Sequence, residues 1–259
     1  MSTSPLIDDV RALLRGRPVF LAGSLVAEAT YAKNNVHTDV DLFCPTSQVL
    51  ISTGQYLLDN GFKFGDRFDR VWERWLRFGF KSWHTNSLKL HDPGGIEYNL
   101  VYKLTEGHAA TSLGEVIESF DFGLLATGWE LESDTFRDMR SFLFPGLDPD
   151  GALPMMPNKR SNWRNGFISQ YNGLREAGRY AKYHERGYDL SLVKDDLTTG
   201  YWSAAAYYVS HFDPDKQMLG KIYEAIAAHI DADNIDQLAE ASKEIDYNDE
   251  LDKIMEALE

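Results

Sequence analysis

The residues best suited to chemistry lie in one stretch, FLAGSLVAEATYAKNNVHTDVDLFC, from Phe20 to Cys44. Gly23 and Ser24 follow a short apolar run, and Asp39 and Asp41 stand two positions apart on the next one. A strand that ends in Gly-Ser and feeds a helix gathers backbone N–H groups, the Ser24 hydroxyl and a helix N-terminus at one point. Such a point favours an anion such as a triphosphate. On the following run, alternation sends Asp39 and Asp41 to one face while Val40 and Leu42 go to the core. Two carboxylates about 7 Å apart along a strand can share a pair of Mg²⁺ ions roughly 3.5 to 4 Å apart. The same residues also fit a strand, a helix and an edge strand with ordinary surface polar groups.

The elements that must position these residues follow from periodicity. Before residue 145 short β-type runs dominate: PVFLAG, DVDLFC, SLKLH, IEYNLVYK and DFGLLATGWEL, with helices predicted over Leu6 to Arg15 and Gln48 to Asn60. LKLHDPGGIEYNLVY reads as a hairpin, because Pro93 presets φ and Gly94 and Gly95 tolerate positive φ. After FPGLDPDGALPMMPNKR the pattern turns helical, with helices predicted over Asn162 to Arg186, Tyr201 to Phe212, Asp215 to Ile230, Ile235 to Ile245 and Asn248 to Leu258. The expected fold is α+β: a mixed sheet with flanking helices in residues 1–145, followed by a C-terminal all-helical domain in residues 146–259.

The order strand, Gly-Ser, helix, then an apolar-flanked DVDLF resembles the polymerase-beta-like nucleotidyltransferase superfamily over residues 15 to 132. With YNLVY and SFDF added, the chain looks like divergent members found in bacteriophages and large viruses. The resemblance implies that Asp39 and Asp41 bind Mg²⁺ and that Gly23 and Ser24 hold the phosphates of an NTP donor. It also implies transfer of an NMP to a hydroxyl acceptor, whether RNA, a protein or a small molecule. Members usually carry a third carboxylate on a neighbouring strand to deprotonate that hydroxyl. The best-fitting position here is Asn99, and an amide cannot take the proton. Glu97, on the same face, and Asp121, expected on the next strand, are the alternatives. Loss of a general base costs about 10²- to 10⁴-fold. A second reading is therefore a catalytically impaired scaffold that binds a nucleotide or a protein.

Charge is unevenly distributed. The net charge of −14 opposes nonspecific attraction to nucleic acid. Residues 158–188 nevertheless hold seven basic and two acidic side chains, whereas residues 211–259 hold four basic and fourteen acidic ones. Arg164, Arg175, Arg179, Lys182 and Arg186 fall near one face of a helix, with Trp163 and Tyr171 close by. That face is either solvated or a cationic wall for phosphate or a polynucleotide, and Arg179 and Lys182 are the chosen phosphate contacts. In DRFDRVWERWLRFGFKSW, the stripe Arg67, Arg70, Arg74, Arg77 and Lys81 is offset by nearby acids, and Trp72 and Trp75 are expected in the core. His37, His84, His91 and His108 show no paired metal-ligand spacing.

Other classes lack their signatures. No Gly-x-Ser-x-Gly elbow, Walker loop, dinucleotide fingerprint or His-Glu-x-x-His helix is present. The single cysteine, Cys44, excludes an internal disulfide and is expected to fill core space. No apolar run approaches 18 residues, and the N-terminus lacks a basic region followed by a long apolar one, so a cytoplasmic protein with no membrane partner is expected.

Overall fold

The structure is a computed structural model that describes residues 4–33, 39–65, 72–73, 86–105, 108–158, 179–180, 182–194 and 196–197. The chain divides into two compact units, Met1–Asp150 and Gly151–Glu259.

The first unit is α+β and is built on a seven-stranded sheet. In chain order its strands are β1 (Phe20–Ala22), β2 (Asp39–Phe43), β3 (Lys63–Phe64), β4 (Asn86–His91), β5 (Glu97–Tyr102), β8 (Thr127–Glu130) and β9 (Thr135–Asp138). Their spatial order is β3-β4-β5-β2-β1-β8-β9. β2 and β5 run parallel, and the remaining neighbours are antiparallel. The intervening β6 (Leu104–Thr105) and β7 (His108–Ala109) form a separate two-stranded ribbon.

The predicted hairpin is the β4–β5 connection. Asp92 accepts from the Ile96 backbone N–H at 2.8 Å, and Gly95 adopts φ +89°, which only glycine takes without strain.

One sheet face is apolar and carries the core. Leu21, Val40, Leu42, Leu88, Leu90, Tyr98 and Leu100 alternate along β1, β2, β4 and β5 and are buried. Helix α1 (Pro5–Leu14) sets Ile7, Val10 and Leu14 into this core, a spacing of three and four that marks one helix face. Helix α3 (Ser47–Asp59) adds Leu50 and Leu57, and Thr46 caps it by accepting from the Val49 N–H at 3.1 Å. A Cβ at Gly54 would lie 2.9 Å from the Trp72 ring, so glycine is what lets α3 close on Trp72. Trp72 is core, as expected, and Cys44 is buried. Both helices match their predicted spans within one residue.

The opposite face is covered over β1 and β8. The short helix α4 (Leu113–Glu118) packs there, and Leu113 would clash at 2.7 Å with a Cβ on Gly128. α4 starts with a capping box: Ser112 accepts from the Glu115 N–H, and Glu115 accepts from the Ser112 and Thr111 N–H groups. These donors hold the Glu115 carboxyl below its ordinary range. The unit closes on Arg140, at the start of α5 (Arg140–Leu143), whose guanidinium donates to Asp138, Asp150 and the Pro149 carbonyl.

One sequence expectation needs correction. DFGLLATGWEL is not a single strand: Gly123–Leu125 forms a 3₁₀ turn, and the strand begins at Thr127. Gly123 ends the extension, and the Leu125 and Ala126 N–H groups turn back to Phe122 and Gly123. Asp121 therefore precedes the turn and does not sit on the neighbouring strand.

In the second unit, Tyr183 and Tyr188 meet edge to face with centroids 5.8 Å apart, and Asp196 accepts from the Met155 N–H at 3.4 Å. Of the predicted helix Asn162 to Arg186, residues 179–180 and 182–185 are described and helical. Trp163, Arg164, Tyr171, Arg175 and the four helices predicted from Tyr201 onward lie outside the described residues. So do His37, His84, Trp75 and the Arg67-to-Lys81 stripe.

Candidate functional site

The site begins where β1 ends. Gly23 takes φ +95° and ψ −155° and caps helix α2 (Ser24–Thr30), so the chain turns from strand to helix in one residue that tolerates this conformation only as glycine. A Cβ at this position would lie 2.7 Å from Asp41 Oδ2. The missing side chain is thus what lets the Asp41 carboxylate press against the turn. The two halves of the sequence signal, separated by a helix and a loop, meet here. Both Gly23 and Ser24 are buried, Ser24 to 4% exposure.

Asp39 and Asp41 share the polar face of β2, with Val40 and Leu42 on the core side. The parallel register places Asp39 beside Glu97 and Asp41 beside Asn99. Asn99 Nδ2 donates to Asp41 Oδ1 at 3.2 Å, and buried Asn99 Oδ1 finds no donor among the described residues. The next register step, across the β4–β5 hairpin, puts Lys89 beside Asn99 and His91 beside Glu97. Lys89 Nζ donates to Glu97 Oε1 at 2.8 Å, and His91 Nε2 lies 3.8 Å from Glu97 Oε2.

Two cross-strand rows result: Asp41, Asn99 and Lys89 in one, and Asp39, Glu97 and His91 in the other. Sequence reasoning selected the β2 and β5 members but assigned no role to Lys89 or His91. The alternation in SLKLH puts those two on one face and the hairpin pairs them with β5, but nothing local says that β2 takes the other edge of β5.

The remaining predicted positions are not members of these rows. Asp121 is 2% exposed and lies before the 3₁₀ turn. Arg179 and Lys182 belong to the second unit, where the Lys182 ammonium lies 5.9 Å from the Tyr183 ring centre. Glu28, four residues after Ser24 on α2, is a buried acid that the sequence reading passed over. Burial drives the Cys44 thiol well above its ordinary range, which removes it as a nucleophile at neutral pH.

Asp39 and Asp41 offer carboxylate oxygens on one face of β2, while Asn99 turns its Nδ2 toward Asp41. The two carboxylates fit a hard cation such as Mg²⁺. Among the described residues, no three His, Cys, Asp or Glu side chains converge as a metal-binding group. Any such ion would rest on the two aspartates.

No family model matches the chain, and no curated protein matches it. Among solved structures, the chain is similar to a Thermotoga maritima CCA-adding enzyme complexed with tRNA, at 15% identity and TM-score 0.49, covering 82% of this chain and 46% of that one. It is also similar to a CCA-adding enzyme in complex with CTP, at 13% identity and TM-score 0.38, covering 80% of this chain and 52% of that one. An apo form of a CCA-adding enzyme matches at 14% identity and TM-score 0.38. The chain spans about half the length of these structures. At such TM-scores the likeness carries no weight for function, which rests on the chain's own residues. No helix among the described residues is long and apolar enough to cross a membrane.

Proposed function

We propose that the first unit is a Mg²⁺-dependent nucleotidyltransferase domain that moves an NMP from an NTP to an acceptor hydroxyl. The observation that carries this reading is the close approach of the Asp41 carboxylate to the Gly23 turn, 2.7 Å from where a Cβ would stand, because a phosphate held at the turn and a cation held by the aspartates would then be neighbours. Gly23 presents backbone at close range, and Ser24 begins the helix that follows it. Asp39 and Asp41 would hold Mg²⁺, which supplies charge stabilisation at the phosphoryl oxygens when bound. In the reaction, the acceptor oxygen bonds to the α-phosphorus, the bond from that phosphorus to the bridging oxygen breaks, and pyrophosphate leaves with the electron pair. The hydroxyl proton passes to Glu97 or to water, since Asn99 cannot accept it and Asp121 is buried. Arg179 and Lys182 are proposed as further phosphate contacts. RNA, a protein or a small molecule would serve as acceptor, and the phage-type resemblance and cytoplasmic setting belong to this same reading.

Asn99 also favours a second reading, in which the nucleotide site persists on a scaffold that no longer transfers. Calorimetric titration with each NTP, with and without Mg²⁺, tests the shared core of both. Asp39→Ala and Asp41→Ala are expected to abolish Mg²⁺-dependent NTP binding while leaving the melting temperature within a few degrees. Retained binding in both variants would sink the metal assignment. Wild-type binding without transfer to any acceptor in a labelled-nucleotide screen would select the scaffold.

A further inference from the structure

The polar face of the sheet changes sign from one side to the other. β2 contributes two carboxylates, and β5 contributes Glu97 and the neutral Asn99. β4 contributes Lys89 and His91, and the antiparallel β3–β4 register adds Lys63 beside His91. Directly paired side chains project from the same face, so Lys63, Lys89 and His91 border the face that carries the aspartates. Lys63 is exposed, and the Lys89 side chain is 43% exposed while its ammonium donates to Glu97. Gly65 follows Lys63 and Phe64, and a Cβ there would sit 3.2 Å from Lys89 Cβ and 3.4 Å from the His91 ring. The chain thus presents no side chain at the position that would crowd the two basic residues.

We infer that this basic edge holds a phosphate group of the acceptor, with Lys89 as the contacting residue and Glu97 as the residue that positions it. The inference rests on the donor reading above and deepens it by naming the chemical class of the acceptor. Strand order supports the side chosen. Gly23 follows β1, which lies on one side of the aspartate strand, while Lys89 lies two strands away on the other. At about 4.8 Å per strand, the Lys89 Cα is about 10 Å from β2, too far to share the Gly23 turn but within reach of a group beside the reacting hydroxyl. Asn99 stands between them in register, and its neutral amide adds no repulsion to an arriving anion, whereas a carboxylate at that position would. Glu97 ties Lys89 back toward β5, so the ammonium is directed at the aspartate rows and away from the sheet edge.

The test uses the full chain with Mg²⁺ and an α,β-methylene NTP, whose affinity is measured first. Glycerol 3-phosphate and the dinucleotide UpU are then titrated as anionic probes, with glycerol and uridine as neutral controls. We expect at least one anionic probe to bind the nucleotide-loaded protein and the neutral controls not to bind. Lys89→Gln should weaken that binding about ten- to hundredfold, the range for loss of one charge-assisted contact, with nucleotide affinity unchanged. Lys89→Arg should retain it. Binding of the phosphomonoester alone assigns a small phosphorylated acceptor, and binding of the dinucleotide alone assigns a nucleic acid; either supports the shared chemistry. Glu97→Gln should weaken the probe severalfold in the wild-type background and add nothing in the Lys89→Gln background. An independent effect there would overturn the positioning role. No anion binding, or equal binding by Lys89→Gln, overturns the inference while intact NTP binding leaves the donor reading standing. A Lys89→Gln variant that loses nucleotide instead moves Lys89 to the donor site and overturns the acceptor assignment.

Discussion

The two faces of the same four strands, β1, β2, β4 and β5, obey different rules. On the apolar face, Leu21, Leu42, Leu88 and Leu100 are each fully buried, and each side chain needs only neighbours that are apolar and of suitable volume. On the polar face, Asp41, Asn99, Lys89 and Glu97 are useful only in one cross-strand order, because their contacts are specific pairs of charges and hydrogen bonds. The core face therefore tolerates local substitution in kind. The polar face has little stability to lose but depends on register, since a slip of one residue would exchange the two faces entirely.

This contrast predicts that damage will separate by face. The largest stability loss is expected from Leu100→Ala, about 2 to 5 kcal/mol by chemical denaturation, because it opens a cavity between β2 and β4. A loss under about 1 kcal/mol would mean that the centre of the sheet packs more loosely than its burial indicates.

Gly23→Ala lies where the contrast breaks down, since the residue belongs to the backbone of one face and touches the carboxylate of the other. Its positive φ costs about 1 to 3 kcal/mol for a side-chain-bearing residue, and its methyl group must displace Asp41. Both the melting temperature and Mg²⁺-dependent nucleotide affinity should fall. Unchanged affinity would separate the turn from the aspartates.

The smallest effect is expected outside these four strands, at Arg140. Burial of Asp138 opposes its ionisation, but hydrogen bonds from the Arg140 side chain and backbone outweigh this and leave its pKa below the ordinary 3.8. A depressed folded-state pKa contributes stability that is present above the unfolded value and is lost as pH falls through the folded one. Arg140→Met should therefore lower stability at pH 7 and flatten its decline below about pH 4, as followed by thermal melts across that range. An unaltered acid limb would show that other carboxylates govern it.

Much of the first unit was legible in order of locality. α1 and α3 follow from apolar spacing and, for α3, the Thr46 cap; the β4–β5 hairpin follows from Asp-Pro-Gly-Gly; and the inward and outward sides of DVDLF follow from alternation. The misread segment was DFGLLATGWEL, whose apolar residues suit a buried turn as well as a strand, because burial on all sides erases the periodic signal. With that correction Asp121 stands in a buried bend before the turn and not on a strand.

The sequence by itself determined which residues could bear charge and which way each would face on its own strand, because backbone geometry makes side chains alternate whatever lies alongside. It also determined that residue 99 is an amide. Tertiary structure alone decided that β5 lies parallel to β2 in the register that pairs Asn99 with Asp41, which brings the hairpin's Lys89 and His91 into the aspartate rows, and that Gly23 approaches Asp41. Those are contacts between residues distant in the chain, selected by packing of the whole core, and no local spacing encodes them.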